Sequence, residues 1–230
     1  MKKIAVVVLL STCSLVLSAQ EILSGADIPP EGHASLQVNY THLSRKFTIN
    51  GITEKVSRDI AMAQVLFRPG FQWAFYGFAG FSDFPHTYAP TGDFVLFGGG
   101  LKYLLVAEVD IEQKNGKTIS VKGGMDIDLQ IRRLQGTGNT ITKSFALTEF
   151  QSAINFGLRV FMFSGNLGFK FSTMHGSFSP DGGLEMEAKA KGLFSMFLGF
   201  NVYLCRSLSL VSEISFFTER SWGVGLRLGL

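Results

Sequence analysis

The sequence predicts an all-β fold, a closed antiparallel up-and-down barrel. Three observations support this prediction. The 230 residues include 22 Phe and 26 Gly but only 6 Pro, a composition that favours strands over helices. Apolar and polar residues alternate with a period of two over long segments, as in strands with two different faces. The connections between these segments alternate between short and long along the chain.

The alternation is clearest in residues 119–132 and 150–162. In the first segment the odd positions are apolar or glycine, and the even positions include Lys122, Asp126, Asp128 and Arg132. In the second segment the even positions are mostly apolar, and Arg159 lies among the odd ones. Because successive side chains of a strand point to opposite faces, each segment has one apolar and one polar face.

The pattern is most consistent with ten strands, within a range of eight to twelve. The predicted strands are residues 34–44, 58–67, 71–81, 93–111, 117–133, 149–163, 166–174, 188–204, 208–217 and 221–230. Tight turns are expected at 68–70, 114–116, 164–165 and 206–207, and Asn115-Gly116 is a typical hairpin pair. Longer connections are expected at 45–57, 82–92, 134–148 and 175–187, whereas the last hairpin, near Glu219 and Arg220, is short.

This arrangement is typical of a bacterial transmembrane β-barrel, which has an even strand count, short turns at one end and long loops at the other. In lipid, every backbone polar group must be paired internally, and a closed barrel achieves this. A spanning strand needs about 9–11 residues, so ten strands with their connections fill about 200 residues. We therefore expect the apolar face to contact lipid and the polar face to line the lumen.

Charged residues on the predicted inner face carry both signs. A unit of Gly, apolar, basic and apolar residues occurs at 100–103, 157–160, 168–171 and 225–228, and its last copy places Arg227 between two leucines. Unpaired charges away from water are costly, so these side chains are expected to form an ionic network. Its predicted members are Lys102, Glu108, Asp110, Lys122, Asp126, Asp128, Arg132, Arg159, Lys170 and Arg227. A charge-lined conduction path is the alternative, although side chains nearly fill barrels of this size.

The chain divides into three predicted parts: a signal peptide at 1–19, a periplasmic N-terminal segment at 20–33 and an outer-membrane barrel domain at 34–230. Cleavage would remove Lys2 and Lys3 and leave 19 basic against 18 acidic residues, a net charge of +1. This balance gives no electrostatic reason to expect a nucleic-acid partner. Cys205 would be the one remaining cysteine, so no internal disulfide is expected.

Other kinds of site are weakly represented in the sequence. It shows no cofactor motif, metal-ligand cluster or catalytic triad pattern, so neither a cofactor nor enzyme activity is predicted. The candidates for acid–base chemistry are His86 with Asp83 and His175 with Asp181, all in predicted long connections. A soluble, lipocalin-like barrel that binds an apolar ligand is a further alternative, and it would turn the apolar face inward.

Residues 99–103 and the C-terminal stretch 225–230 resemble the small bacterial outer-membrane β-barrel superfamily, which includes the OmpA-like transmembrane domain. The resemblance implies a structural or narrow-channel protein with exposed loops, surrounded by outer-membrane lipid. It also implies assembly by the barrel-assembly machinery and periplasmic chaperones. Gly225, Leu228 and Leu230 are similar to the terminal signal that this machinery recognises, although the family usually ends on an aromatic residue rather than Leu230.

Overall fold

The computed structural model describes residues 28–49, 51–83, 94–112, 118–136, 142–180 and 186–230. These residues form ten strands: β1 (Ala34–Ile49), β2 (Ile52–Phe67), β3 (Trp73–Ser82), β4 (Phe94–Glu112), β5 (Thr118–Gly136), β6 (Thr142–Val160), β7 (Phe163–Pro180), β8 (Met186–Tyr203), β9 (Leu208–Phe217) and β10 (Glu219–Gly229). The predicted signal peptide at 1–19 lies outside the described residues.

Each strand pairs antiparallel with its neighbour in the chain, and β10 returns to pair with β1. The sheet is therefore a closed barrel, and the prediction of a ten-stranded antiparallel barrel is confirmed. Ala34 and Leu230 lie at one end of the barrel, which we call the lower end; the connection from Ile49 to Ile52 lies at the upper end. In the part of the chain that the structure describes, no helix is long and apolar enough to cross a membrane.

The two faces of the barrel differ as the alternation requires. On β10, Leu226 and Leu228 point outward and are 51% and 42% exposed, whereas Arg227 between them points inward and is 6% exposed. The outward positions of β5 and β6, such as Ile127 and Phe156, are likewise exposed and apolar. The lipocalin-like alternative requires the apolar face inside, and this arrangement contradicts it.

The prediction of a long connection at 45–57 is wrong, because these residues form the upper part of the first hairpin. Strands β1 and β2 pair from Ala34↔Phe67 up to Ile49↔Ile52, so two positions separate them. Gly51 has a φ of 82°, which a two-residue hairpin with Asn-Gly requires. Alternation fails to reveal these strand ends because residues 45–57 carry polar side chains on both faces.

Other strand ends also differ from the prediction. The turn between β6 and β7 lies at Phe161 and Met162 rather than at 164–165, and Phe161 has a φ of 55°. The last hairpin turns at Thr218, one position before the expected site, so Glu219 already belongs to β10. Strands β5 to β8 extend into the expected connections 134–148 and 175–187. The predicted turn at 114–116 lies outside the described residues.

The hairpin of β9 and β10 is short, with 10 and 11 residues, whereas β1 has 16. Pairing of β1 with β10 ends at Arg45↔Glu219. Above this point β1 pairs directly with β8, at Thr48↔Lys189 and Ile49↔Ala188. The upper end of β1 therefore passes over the hairpin tip, and Arg45 and Glu219 lie just beneath this crossing.

The segment before β1 is held against the lower end. The Gly32 amide donates to the Arg68 carbonyl (2.8 Å), and Arg68 Nη1 donates to the Pro29 carbonyl (3.3 Å). The Leu230 amide donates to the Ala34 carbonyl (2.9 Å), which joins the last residue to the first strand. Both ends of the described chain are thus fixed at the same mouth of the barrel.

Candidate functional site

The upper half of the lumen contains a set of paired charges that we call the upper ionic cluster. Arg45 Nη1 donates to Glu149 Oε1 (2.8 Å), and Arg45 Nη2 donates to Glu219. Arg132 Nε donates to Glu149 Oε2 (2.5 Å), and Lys170 Nζ donates to Glu219 Oε1 (2.5 Å). The cluster comprises Arg45, Arg58, Arg132, Glu149, Lys170 and Glu219, each between 1% and 3% exposed.

The upper ionic cluster crosses the lumen. Arg45 lies on β1 and Glu149 on β6, which are five strands apart in either direction around the ten-stranded ring. Their side chains therefore meet from opposite walls. Arg132 on β5 and Lys170 on β7 join from the Glu149 side, and Glu219 joins from the short hairpin strand next to Arg45. These contacts form a chain of ion pairs from one wall of the lumen to the other.

A second group, the lower ionic cluster, consists of Lys102, Asp126, Asp128, Tyr76 and Asn155. Lys102 Nζ lies 3.2 Å from Asp126 Oδ1 and 2.8 Å from Asp128 Oδ2. Asn155 Nδ2 donates to Asp126 (2.8 Å), and the Tyr76 hydroxyl donates to Asp128 (2.7 Å). Charge-assisted hydrogen bonds of this kind offset the cost of burying ions, provided that each ion keeps its partners.

The inner face of β2, β3 and β4 is different, because apolar side chains dominate it. The buried residues there are Val56, Ile60, Met62, Leu66, Ala74, Tyr76, Phe78, Phe94, Leu96 and Leu104, and they belong to one apolar cluster. On this side packing fills most of the lumen, and Arg58 on β2 and Lys102 on β4 are buried charges that join the ionic clusters. Period-2 alternation predicts which side chains point inward, but it does not predict that the inward side chains of β2, β3 and β4 are mainly apolar.

At the lower mouth, two of the predicted lumen arginines have defined partners. Arg227 Nε donates to Gln37 Oε1 (3.0 Å), and the Arg159 guanidinium lies 3.6 Å from the centre of the Tyr203 ring. Together with Arg206 they line a cavity of about 310 Å³ beside the N-terminal segment.

The sequence-predicted lumen residues thus occupy three levels. Lys102, Asp126 and Asp128 meet in the lower ionic cluster, and Arg132 and Lys170 belong to the upper one. Arg159 and Arg227 lie at the mouth, and Lys122 is half-buried beside Arg159 in the sheet register. Glu108 and Asp110 pair in register with Lys122 and Ser120, but their side chains lie outside the described part. Glu213 is buried on β9.

Four members of the upper ionic cluster were not predicted: Arg45, Arg58, Glu149 and Glu219. The sequence pattern predicts a loop at Arg45, a turn at Glu219, and the first position of a strand at Arg58 and at Glu149. A signal for Arg45 and Arg58 was present in Asn50-Gly51, a hairpin pair that would extend both flanking strands.

Aromatic side chains mark two levels on the outer face. Trp73 and Tyr103 lie near the lower end with ring centres 5.0 Å apart, and Tyr40 and Trp222 lie higher, 5.8 Å apart. Transmembrane barrels carry such girdles at both membrane interfaces, with an apolar band between them. On the terminal strand, Gly225 faces the lumen, Leu228 faces outward and Leu230 follows the strand.

The histidine–aspartate pairs proposed from sequence are not assembled by the described residues. His175 lies within β7 rather than in a loop, and its strand partners are Thr148 and Lys189. Asp83 follows β3, and its carboxylate accepts the backbone N–H of Asp59. His86 and Asp181 lie outside the described part. No group of three His, Cys, Asp or Glu in the described ranges is arranged to hold a metal ion.

The sequence matches no protein-family model and no curated protein. Among solved structures, the translocator domain of the autotransporter NalP from Neisseria meningitidis is 11% identical, with a TM-score of 0.44, and the match covers 89% of this chain and 90% of that one. The attachment invasion locus protein Ail of Yersinia pestis is 10% identical (TM-score 0.31, coverage 87% and 99%). The outer membrane protease OmpT from Escherichia coli is 10% identical (TM-score 0.35, coverage 92% and 100%).

Proposed function

We propose that this chain is an integral outer-membrane barrel whose lumen is closed, so that it acts as a structural surface protein rather than an open channel. The apolar outer face between two aromatic levels supports insertion into a bilayer. Outer-membrane lipid is then its immediate partner. The terminal strand with Gly225, Leu228 and Leu230 supports assembly by the barrel-assembly machinery, delivered by periplasmic chaperones.

The observation that carries the closed lumen is the ion pair between Arg45 and Glu149. It joins opposite walls, and its two side chains are each 1% exposed. Below it, Lys102 is fully buried between Asp126 and Asp128. An ion passing through the barrel would have to displace charged groups that are already paired at both levels. We therefore expect the folded protein not to conduct.

The first experiment locates the protein. Outer-membrane fractions extracted with detergent are separated by SDS electrophoresis with and without boiling. A band that migrates faster without boiling, and that is recovered only with the outer membrane, is the expected result. Recovery in the soluble periplasmic fraction with no shift on heating would overturn the membrane assignment.

The second experiment tests the closed lumen in planar bilayers. Wild-type protein with the fast-migrating band is expected to give no stable conductance steps. The double variant Arg45→Ala/Glu149→Ala removes both halves of the crossing pair and is expected to conduct if it still shows the fast band. The variant Phe150→Ala, which changes the neighbouring outward side chain, is the matched control. Regular conductance steps from the wild type would overturn the closed lumen in favour of a narrow channel.

A further inference from the structure

A cluster of polar side chains lies on the outer face of the barrel, where lipid contact is otherwise expected. His42 on β1 and Asp59 on β2 are direct cross-strand partners, and His42 Nδ1 lies 2.7 Å from Asp59 Oδ1. Ser44 and Ser57 form the next outward pair along the same two strands, and the Ser57 hydroxyl donates to Ser44 Oγ (3.0 Å). A serine, a histidine and a carboxylate thus share one outward patch, in which the His42 and Asp59 side chains are 35% and 43% exposed and Ser44 is 9% exposed.

Neighbouring groups hold the histidine and the aspartate of this patch in place. The Asp59 carboxylate contacts His42 Nδ1, and the backbone N–H of Asp59 donates to the Asp83 carboxylate. The His42 ring stacks beside Trp222 on the neighbouring strand, with ring centres 5.8 Å apart at an angle of 28°. The imidazole is therefore fixed between an aromatic ring and a carboxylate.

This arrangement determines which nitrogen of His42 can act as a base. A carboxylate only accepts hydrogen bonds, so Nδ1 carries the proton and Nε2 keeps its lone pair. Ser44 lies two residues along the same strand face, about 7 Å away between Cα atoms, which is within reach of an imidazole. In its bond with Ser57, Ser44 Oγ is the acceptor, so its own proton can be donated elsewhere. These are the roles of base, orienting carboxylate and nucleophile in serine hydrolases.

The surroundings of the patch indicate the kind of substrate. Below it the outer face is apolar, with Val38 and Leu226 more than half exposed, and Tyr40 and Trp222 flank the patch at the aromatic level. Above it the outward positions are cationic and exposed: Arg220 is the cross-strand partner of Ser44, and Lys46 is the partner of Lys55. The patch therefore lies at the boundary where the ester groups of a lipid meet its phosphate.

We infer that Ser44, His42 and Asp59 form an outward-facing hydrolytic site that cleaves carboxylic esters of phosphate-bearing lipids in the surrounding leaflet. His42 Nε2 takes the Ser44 proton while Oγ bonds to the ester carbonyl carbon. The carbon–oxygen bond to the lipid alcohol then breaks, and the alcohol leaves with the proton from His42. His42 then deprotonates a water molecule, whose oxygen bonds to the acyl carbon. The bond from this carbon to Ser44 Oγ breaks, the fatty acid leaves, and His42 returns the proton to Ser44. Asp59 acts as a positioning residue for His42.

The cations above the site are assigned to the lipid phosphate. Arg220 is within cross-strand reach of Ser44 and can bind a phosphate oxygen while the ester lies over Oγ. Changing Arg220 should therefore affect binding of anionic lipid more than the chemical step. The Ser57 hydroxyl donates to Ser44 Oγ and so orients it, which leaves the Ser44 proton for His42.

The test uses the full chain, folded in detergent with a confirmed fast-migrating band. Mixed micelles of phosphatidylglycerol serve as the substrate, and fatty acid release is measured by mass spectrometry. A fluorophosphonate probe reports the reactive serine by peptide mapping. The wild type is expected to release fatty acid and to be labelled at Ser44. Ser44→Ala should abolish labelling and reduce turnover at least about 1,000-fold, as loss of a triad nucleophile does.

Two further variants separate catalysis from structure. Asp59→Asn keeps the shape of the side chain but favours the wrong tautomer of His42, and it should reduce turnover about 100- to 10,000-fold. Arg220→Gln should raise KM for phosphatidylglycerol with little change in kcat, and it should not alter KM for diacylglycerol, which has the same esters but no phosphate. The control is Ser152→Ala, because Ser152 also faces outward but its cross-strand partners are Leu129 and Phe171.

Several outcomes would overturn the inference. One is a folded wild type that releases no more fatty acid than Ser44→Ala. Another is probe labelling that persists in Ser44→Ala or that appears equally at Ser152. These results would leave the closed-barrel proposal intact, since the lumen clusters do not contact the outer patch.

Discussion

The two sides of the lumen are filled in different ways. On β2, β3 and β4 the inner wall is mainly apolar, with Ile60, Leu66 and Phe78 packed together. On β5, β6 and β7 the inner wall carries charges, which pair with one another and with residues of β1, β4 and β10. Both sides belong to the same closed sheet, and both place buried side chains in the lumen.

The difference teaches what each side tolerates. An apolar wall depends on shape, so it loses stability in proportion to the volume removed. An ionic wall depends on complete pairing, because one missing partner leaves a charge buried without compensation. The same fold should therefore respond gradually to substitutions on one side and abruptly on the other.

Glu149→Ala is expected to have the largest effect on stability. Glu149 accepts from Arg45 and Arg132 and lies 4.0 Å from Arg58 Nη2, so its removal leaves three buried guanidinium groups without that carboxylate. We expect a loss of about 4 kcal/mol in the free energy of unfolding. Equilibrium unfolding by urea in lipid vesicles measures this, with loss of the fast-migrating band as the readout.

The matched control is Gln151→Ala. Gln151 Nε2 donates to Glu149 Oε1 (3.0 Å) from the same strand, so this variant removes one neutral donor and leaves the ion pairs intact. Its cost should be about 1 kcal/mol. Equal losses for the two variants would contradict the claim that pairing of charges governs this wall.

Lys102→Met tests whether the ionic side can be converted to a neutral one. Alone, this variant leaves Asp126 and Asp128 side by side without their cation, and it should cost about 3 kcal/mol. The triple variant Lys102→Met/Asp126→Asn/Asp128→Asn keeps oxygen acceptors for Tyr76 and Asn155 and should recover most of that loss. If the triple variant is less stable than the single one, the lower ionic cluster is not governed by charge balance.

The sequence predicts the sheet better than it predicts the lumen. Ten strands and the inward position of Arg227 follow from alternation, because one face of each strand is consistently apolar over its central residues. Arg45 and Glu219 lie near strand ends, where both faces are polar and alternation no longer distinguishes strand from loop. Their pairing depends on β1 closing against β10, a contact between residues 174 positions apart that no local pattern encodes. His42 and Asp59 were missed for a related reason, since the predicted loop at 45–57 concealed the register that pairs them.

Leu66→Ala measures the apolar side of the comparison. Leu66 is 1% exposed within the apolar cluster, and its truncation leaves a cavity beside β3. We expect a loss of about 3 kcal/mol, and about 1 kcal/mol for the volume-conserving Leu66→Met. A graded series of this kind distinguishes a shape-dependent wall from the charged wall. A loss for Leu66→Met as large as that for Leu66→Ala would contradict the claim that the stability of the apolar wall depends on the volume of its side chains.

The smallest expected difference in stability is between alanine variants of two glycines, one facing the lumen and one facing outward. A Cβ at Gly225 would lie 2.5 Å from the Val38 carbonyl oxygen and closer still to the Asn39 side chain, so the inner wall must shift to admit it. A Cβ at Gly77 would face outward, and the nearest atom is the Gly98 carbonyl oxygen at 3.8 Å. Gly225→Ala should therefore cost about 2 kcal/mol, whereas Gly77→Ala should stay within about 0.5 kcal/mol.

Gly225 also belongs to the terminal stretch assigned to assembly, so the two effects must be separated. Refolding of urea-denatured protein into detergent micelles needs no assembly machinery, and it reports the packing cost of Gly225→Ala alone. Folding yield in cells reports packing and recognition together. If Gly225→Ala refolds with wild-type stability but fails to reach the outer membrane, recognition of the terminal strand, rather than crowding against Asn39, is what requires glycine at this position.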